Sequence, residues 1–193
     1  MSRTNYIFVD FENVQETDWE RIAGKPVKVV LMLGVQQKNL PAALVRKLLK
    51  VGNQVQMVEV KHAGKNALDL VLAHYVGAIR MTDPEGYFHI VSKDKGFDAL
   101  IGHLTDSGAL ARRHASFGTI PVLMNCKERV GLLCKQLKET STGRPTKRTT
   151  LESKIQTTFG RCLSESEVTE TMEGLLHDGI VILLDSGEVK YAA

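Results

Sequence analysis

Four aspartates stand at positions from which a chain can do metal chemistry. Asp10 directly follows the apolar run Tyr6-Ile7-Phe8-Val9. Asp94 sits on a polar elbow, Ser92-Lys93-Asp94, after the apolar run Tyr87-Phe88-His89-Ile90-Val91. Asp98 comes four residues later, about one helical turn away. Asp69 falls in the first turn of a predicted helix that starts after Asn66. Carboxylates at the ends of buried strands repel one another unless something neutralises them. No run of lysines is placed to neutralise all four. A hard divalent cation is the economical partner, and an all-carboxylate donor set suits Mg2+ or Mn2+.

Each acid also has a plainer reading. Asp69 stands three residues after Asn66, which is a capping spacing. Asp94 and Asp98 can cap a helix and complement its dipole. Asp10 has neither a cap nor a pair evident in sequence. Asn13 either orients Asp10 or makes a turn. Glu12 joins the site only if the strand has already ended there. Ser92 is a candidate substrate or water ligand, though elbow serines often cap. Lys65, Lys93 and Lys95 are candidate phosphate holders or solvated lysines. Arg112 and Arg113 are candidates for gripping a phosphate backbone, as is the 144–148 region, which equally reads as a solvated basic linker. The six histidines are scattered and are read as packed or solvated rather than as ligands. No Ser/His/Asp set stands out, and the sequence holds no GxGxxG motif or P-loop.

The elements that position these residues alternate. Strands are expected at 6–9, 27–33, 54–60 and 87–91, with helices near 17–22, at 41–51, from 67, and from 97 to about 106. A fifth strand is placed at 120–124. A helix follows at 125–137, opened by an Asn125/Glu128 capping box. This pattern predicts an α/β domain, doubly wound, with a mostly parallel sheet and helices on both faces. Ligands then bind beyond the carboxyl ends of the strands, at the switch in strand order. Asp10 and Asp94 sit there if their strands are neighbours.

The predicted organisation is an α/β domain over residues 1–139, a basic linker at 140–150, and a small domain at 151–193. The last has a helix at 151–159, a second helix capped by Ser164 and Glu167 and running to about 177, and a hairpin of 180–184 with 189–192 across Asp185-Ser186-Gly187. That is a winged-helix-like α+β appendage. Its second helix carries Glu165, Glu167, Glu170 and Glu173, which favours a protein partner or a homodimer contact over nucleic acid.

At 193 residues, 43% hydrophobic and 24% charged, the composition is that of a soluble globular chain. No apolar run approaches the roughly 20 residues a membrane helix needs. Charge interrupts the N-terminus too early for a signal peptide. Three cysteines without a CxxC pattern suggest reduced thiols and a cytoplasmic setting. A net charge of +3 permits a nucleic-acid partner without requiring one. The charge is uneven: residues 127–154 carry net +5, and residues 164–193 carry net −6.

Three segments together, Ile7-Phe8-Val9-Asp10-Phe11-Glu12-Asn13, Gly64-Lys65-Asn66-Ala67-Leu68-Asp69 and Ser92-Lys93-Asp94-Lys95-Gly96-Phe97-Asp98, resemble the PIN-like/NYN nuclease superfamily. Leu33-Gly34-Val35-Gln36-Gln37 resembles its bacterial PIN-like branch. The resemblance runs from residue 5 to about 108. It implies metal-dependent cleavage of phosphodiesters, usually RNA, single-stranded or structured, leaving 5′-phosphate and 3′-hydroxyl ends. It makes Asp10, Asp69, Asp94 and Asp98 the metal-binding acids, with Asn13 beside them as a catalytic candidate. In such a site the metal lowers the pKa of bound water and offsets charge on the leaving oxygen. Two other readings stay open. One is a non-catalytic RNA-binding or scaffold module. The other is a phosphatase of the haloacid-dehalogenase type, although that pattern wants Asp where this chain has Glu12.

Overall fold

Short β-branched and aromatic runs, each stopped by Gly, Pro or polar residues, form the strands of the first part of the chain. The computed structural model describes residues 3–140 and 143–191. In chain order the elements are β1 (Asn5–Asp10), β2 (Val27–Leu33), α1 (Ala42–Val51), β3 (Val55–Glu59), α2 (Ala67–Thr82), β4 (Tyr87–Val91), α3 (Phe97–Asp106) and β5 (Leu110–His114). A single 3-10 turn, Trp19–Ile22, lies between β1 and β2. The five strands form one all-parallel sheet in the order β3-β2-β1-β4-β5.

This order fixes the position of the acids. The chain leaves β1 towards β2 and β3 on one side, then returns to lay β4 and β5 on the other. β1 and β4 are therefore direct neighbours, with Val9 opposite Val91. The switch in strand order lies between them, and Asp10 and the Ser92–Asp94 elbow both leave the sheet there.

Strand alternation sends Tyr6, Phe8, Phe88 and Ile90 to one face, where they meet Leu72 and Val76 of α2 and Leu104 of α3. Every residue of β1 and β4 is buried, as expected of central parallel strands. Burying each large apolar side chain among them contributes roughly 1.5–3 kcal/mol before entropy is counted. That anchoring lets the strand ends hold polar groups in fixed positions.

Two expectations from sequence are corrected. The fifth strand is Leu110–His114, not residues 120–124, which instead carry part of a 3-10 turn at Pro121–Leu123. The segment Leu110-Ala111-Arg112-Arg113-His114 is an edge strand, so it needs little apolar character, and Pro121 lacks the N–H that a ladder requires. Asn66 does not cap α2 with its side chain. It adopts a left-handed conformation, φ 56°, which asparagine tolerates well.

The chain divides into two compact units, Met1–Leu123 and Met124–Ala193. The helix after residue 124, grouped with the first domain on sequence, belongs to the second unit. That unit contains α4 (Cys126–Glu139), α5 (Arg148–Thr158), α6 (Glu165–His177) and an antiparallel hairpin of β6 (Val181–Leu183) and β7 (Val189–Tyr191). Lys147 adds a single bridge to Glu188. Both expected capping boxes, Asn125/Glu128 and Ser164/Glu167, are present. The apolar sides of the three helices enclose Leu133, Leu151, Ile155, Phe159 and Leu175. Arg129 is buried among them, donating to Thr171, Glu170 and the Met124 carbonyl. Arg144 covers the ring of Tyr191 at 5.2 Å, and Arg148 pairs with Glu152. The expected hairpin end at Ala192, and linker residues Ser141 and Thr142, lie outside the described residues.

Candidate active site

Asp10 is the last residue of β1 and is 1% exposed. The backbone turns immediately after it: the N–H groups of Asn13 and Val14 both donate to the Asp10 carbonyl. The same turn brings the N–H groups of Glu12 and Asn13 to Asp10 Oδ1, at 3.2 and 3.3 Å. Oδ2 accepts from Asn13 Nδ2 at 2.6 Å and from the Ser92 hydroxyl at 2.7 Å. Asn13 thus orients Asp10 and closes the turn as well. Ser92 is fully buried, and its oxygen also accepts from the Asp94 N–H at 3.0 Å. One hydroxyl therefore links the ends of β1 and β4 and sets the elbow that carries Asp94.

Asp94 projects from that elbow. Its Oδ1 accepts from the Gly96 N–H at 2.7 Å, a tight loop contact that leads into α3. Among the described residues, Asp94 Oδ2 and both oxygens of Asp69 receive no hydrogen bond. The capping explanation for Asp69 therefore does not hold in the folded protein. Asp10, Asp69 and Asp94 line one cavity of about 300 Å³, together with Glu12, Asn13 and Gly34. Burial raises the carboxyl pKa of Asp69 above its ordinary value, and the negative charges of Asp94 and Asp10 raise it further.

Asp98 is elsewhere. It is exposed and lies outside the cavity lining. Arg113 grips it with two donors, Nε to Oδ1 at 2.6 Å and Nη2 to Oδ2 at 3.3 Å. That hydrogen bond holds the Asp98 carboxyl below its usual range. Arg113 also donates to the Ser92 carbonyl at 3.1 Å, so it braces the elbow from behind. Arg112 is exposed on β5. Lys93 lines a second cavity of about 760 Å³, which shares Glu12 and Asn13 with the first. Among the described residues Lys65, Lys93 and Lys95 form no ion pair.

Glu12 was the weaker sequence candidate, and the structure places it in the cavity lining. The signal was the end of the strand: a turn at Asp10 frees the residues after it from strand alternation. In the sequence Gly34 stands out only as part of the Leu33–Gln37 motif. It is held by Gln37, whose side chain accepts from its N–H at 2.7 Å.

A family model for the PIN domain matches residues 4–114, more than half of the chain. The chain belongs to the PIN domain family. Its sheet order and the acids at the switch point lie wholly within the matched residues. No curated protein and no solved structure matches the chain. The PIN domain is a nuclease-type fold, and it suggests binding of nucleic acid.

The PIN domain's donor set suits a hard divalent cation in kind, since it is made of carboxylates and two of them keep unsatisfied oxygens. The side chains are not drawn together. Among the described residues no group of three or more His, Cys, Asp or Glu side chains is close enough to hold a metal ion as it stands.

Proposed function

We propose that this PIN-domain protein is a Mg2+- or Mn2+-dependent endoribonuclease acting on single-stranded or structured RNA. One observation carries the reading. Acids from three separate elements, Asp10 of β1, Asp69 of α2 and Asp94 of the β4–α3 elbow, line a single cavity, where burial first and then the charges of Asp94 and Asp10 raise the Asp69 carboxyl pKa. Such repulsion is costly unless a cation is the working partner.

Asp10, Asp69 and Asp94 would hold the metal. When bound, the metal supplies an acidified water and stabilises charge on the phosphate. The protein residues do the positioning. The Asn13 and Ser92 side chains hold Oδ2 of Asp10 and the Glu12 and Asn13 N–H groups hold Oδ1, so its orientation does not depend on the ligand. Ser92 also fixes the backbone of Asp94. Lys65, Lys93 and Lys95 stand free around the elbow and the α2 entry loop, where phosphate groups would pass. Arg112 extends this basic edge. Arg113, by contrast, is committed to Asp98 and the Ser92 carbonyl. Three cysteines without a CxxC pattern fit the reducing cytoplasm. We assign the acidic face of α6 to a protein partner or second copy.

The spread of the acids favours a second reading, a module that binds RNA without cutting it. Purified full-length chain and Asp94→Asn, incubated with mixed RNA with and without chelator, separate the two. Cleavage by the wild type alone, abolished by chelator, is expected. Equal cleavage by both proteins, or indifference to chelator, overturns the nuclease reading. RNA binding without cleavage under Mg2+ and Mn2+ supports the module. Phosphate release from small monoesters would instead mark a phosphatase.

A further inference from the structure

We infer that Glu12, and not Asp98, is the fourth acid of the metal site, an inference that rests on the nuclease reading above. Asp98 is held by a two-donor pair with Arg113 and does not line the acidic cavity. Glu12 does line it, on the wall formed by the turn after β1. Two features of the chain place it there. Asp10 accepts from the Glu12 N–H, which ends the strand and turns the Glu12 side chain out of sheet alternation. Gly34, at the end of β2, then provides the space it occupies. A Cβ on Gly34 would overlap the Glu12 carboxylate. The Gly34 backbone has no left-handed φ to demand glycine, and what a Cβ there would meet is the Glu12 side chain.

Glu12 is also shared by the two cavities, so it stands at the passage between the acids and the groove lined by Lys93 and Lys47. A carboxylate there adds an acid from the β1–β2 side to a cavity that Asp69 and Asp94 also line. Asp98 is left with the task of anchoring Arg113 behind the elbow.

The test is Mn2+ binding to the full chain, read by loss of the free-ion electron paramagnetic resonance signal, without substrate. Glu12→Gln is expected to weaken binding about tenfold or more. Asp98→Asn, which keeps an oxygen for Arg113, is expected to bind as the wild type does. Gly34→Ala is expected to weaken binding by displacing Glu12, and to add nothing in the Glu12→Gln background. Asp94→Asn serves as the control for the site itself. If Asp94→Asn loses binding while Glu12→Gln keeps it, the assignment of Glu12 is overturned and the nuclease reading stands. If Asp98→Asn loses binding as strongly as Glu12→Gln, the exchange of roles is overturned. If the wild type binds no Mn2+, or Asp94→Asn binds as it does, both readings fall.

Discussion

The Ser92 hydroxyl donates to Asp10 Oδ2 at 2.7 Å, joining residues 82 positions apart in the chain. The bond is fully buried, and it exists because β1 and β4 are neighbours. The same oxygen accepts from the Asp94 N–H, so one atom aligns two of the three cavity aspartates. Ser92→Ala removes a donor from a buried carboxylate and leaves a backbone N–H without its acceptor. A loss of about 1–3 kcal/mol is expected in urea unfolding. Cleavage should fall further than this loss explains, because the Asp94 elbow relaxes. Ser92→Thr, which keeps the hydroxyl, should recover part of the stability. Full cleavage by Ser92→Ala would remove the alignment role.

The sheet and most helices were legible in the sequence because each carries a local signal. β1, β2 and β4 are unbroken apolar runs, and residues 27–33 match their strand end to end. The capping boxes at Asn125 and Ser164 also hold. What failed lacked such a signal. β5 is an edge strand with two arginines and reads as a loop until β4 is there to pair with it. The placing of Asp98 depends on Arg113, 15 residues away on that unrecognised strand. Once Arg113 is read as part of β5, on the parity of Ala111, its reach to Asp98 follows. Asn66 shows the reverse error: the capping spacing was right, but its left-handed backbone prevents the side-chain bond.

Asp69 offers a second prediction. Its carboxyl pKa is raised, first by burial and then by Asp94 and Asp10. For an acid whose folded pKa lies above its unfolded value, the favourable contribution exists below the unfolded pKa. It is lost as pH rises through the folded one. At neutral pH in chelator, the charged Asp69 therefore opposes folding. Asp69→Asn is expected to raise Tm under those conditions while abolishing cleavage. Added Mn2+ should raise the Tm of the wild type but not that of Asp69→Asn, because only the wild type gains from binding. A lower Tm for Asp69→Asn in chelator would show that the carboxylate is structural.

A buried histidine pair offers a third prediction, for stability in acid. His89 of β4 and His114 of β5 approach at 3.1 Å between ring nitrogens, and His89 meets the Asn5 side chain at 3.0 Å. All three residues are buried. Burial comes first in keeping both imidazoles neutral; the His114 ring and then Arg112 act further on His89, and Arg112 and Arg113 act further on His114. The pKa of His89 lies well below its ordinary value, and that of His114 falls from 6.5 to about 4. The unfolded chain binds these protons readily and the native one does not. The stability is therefore complete above the unfolded pKa of 6.5 and drains as pH falls towards 4. His114 alone accounts for about 3 kcal/mol across that window. Urea midpoints measured in chelator should fall steeply from pH 7 to pH 5. His114→Gln, which cannot titrate, should flatten that dependence whatever its own stability at pH 7. An unchanged slope in His114→Gln would place the acid sensitivity in other groups.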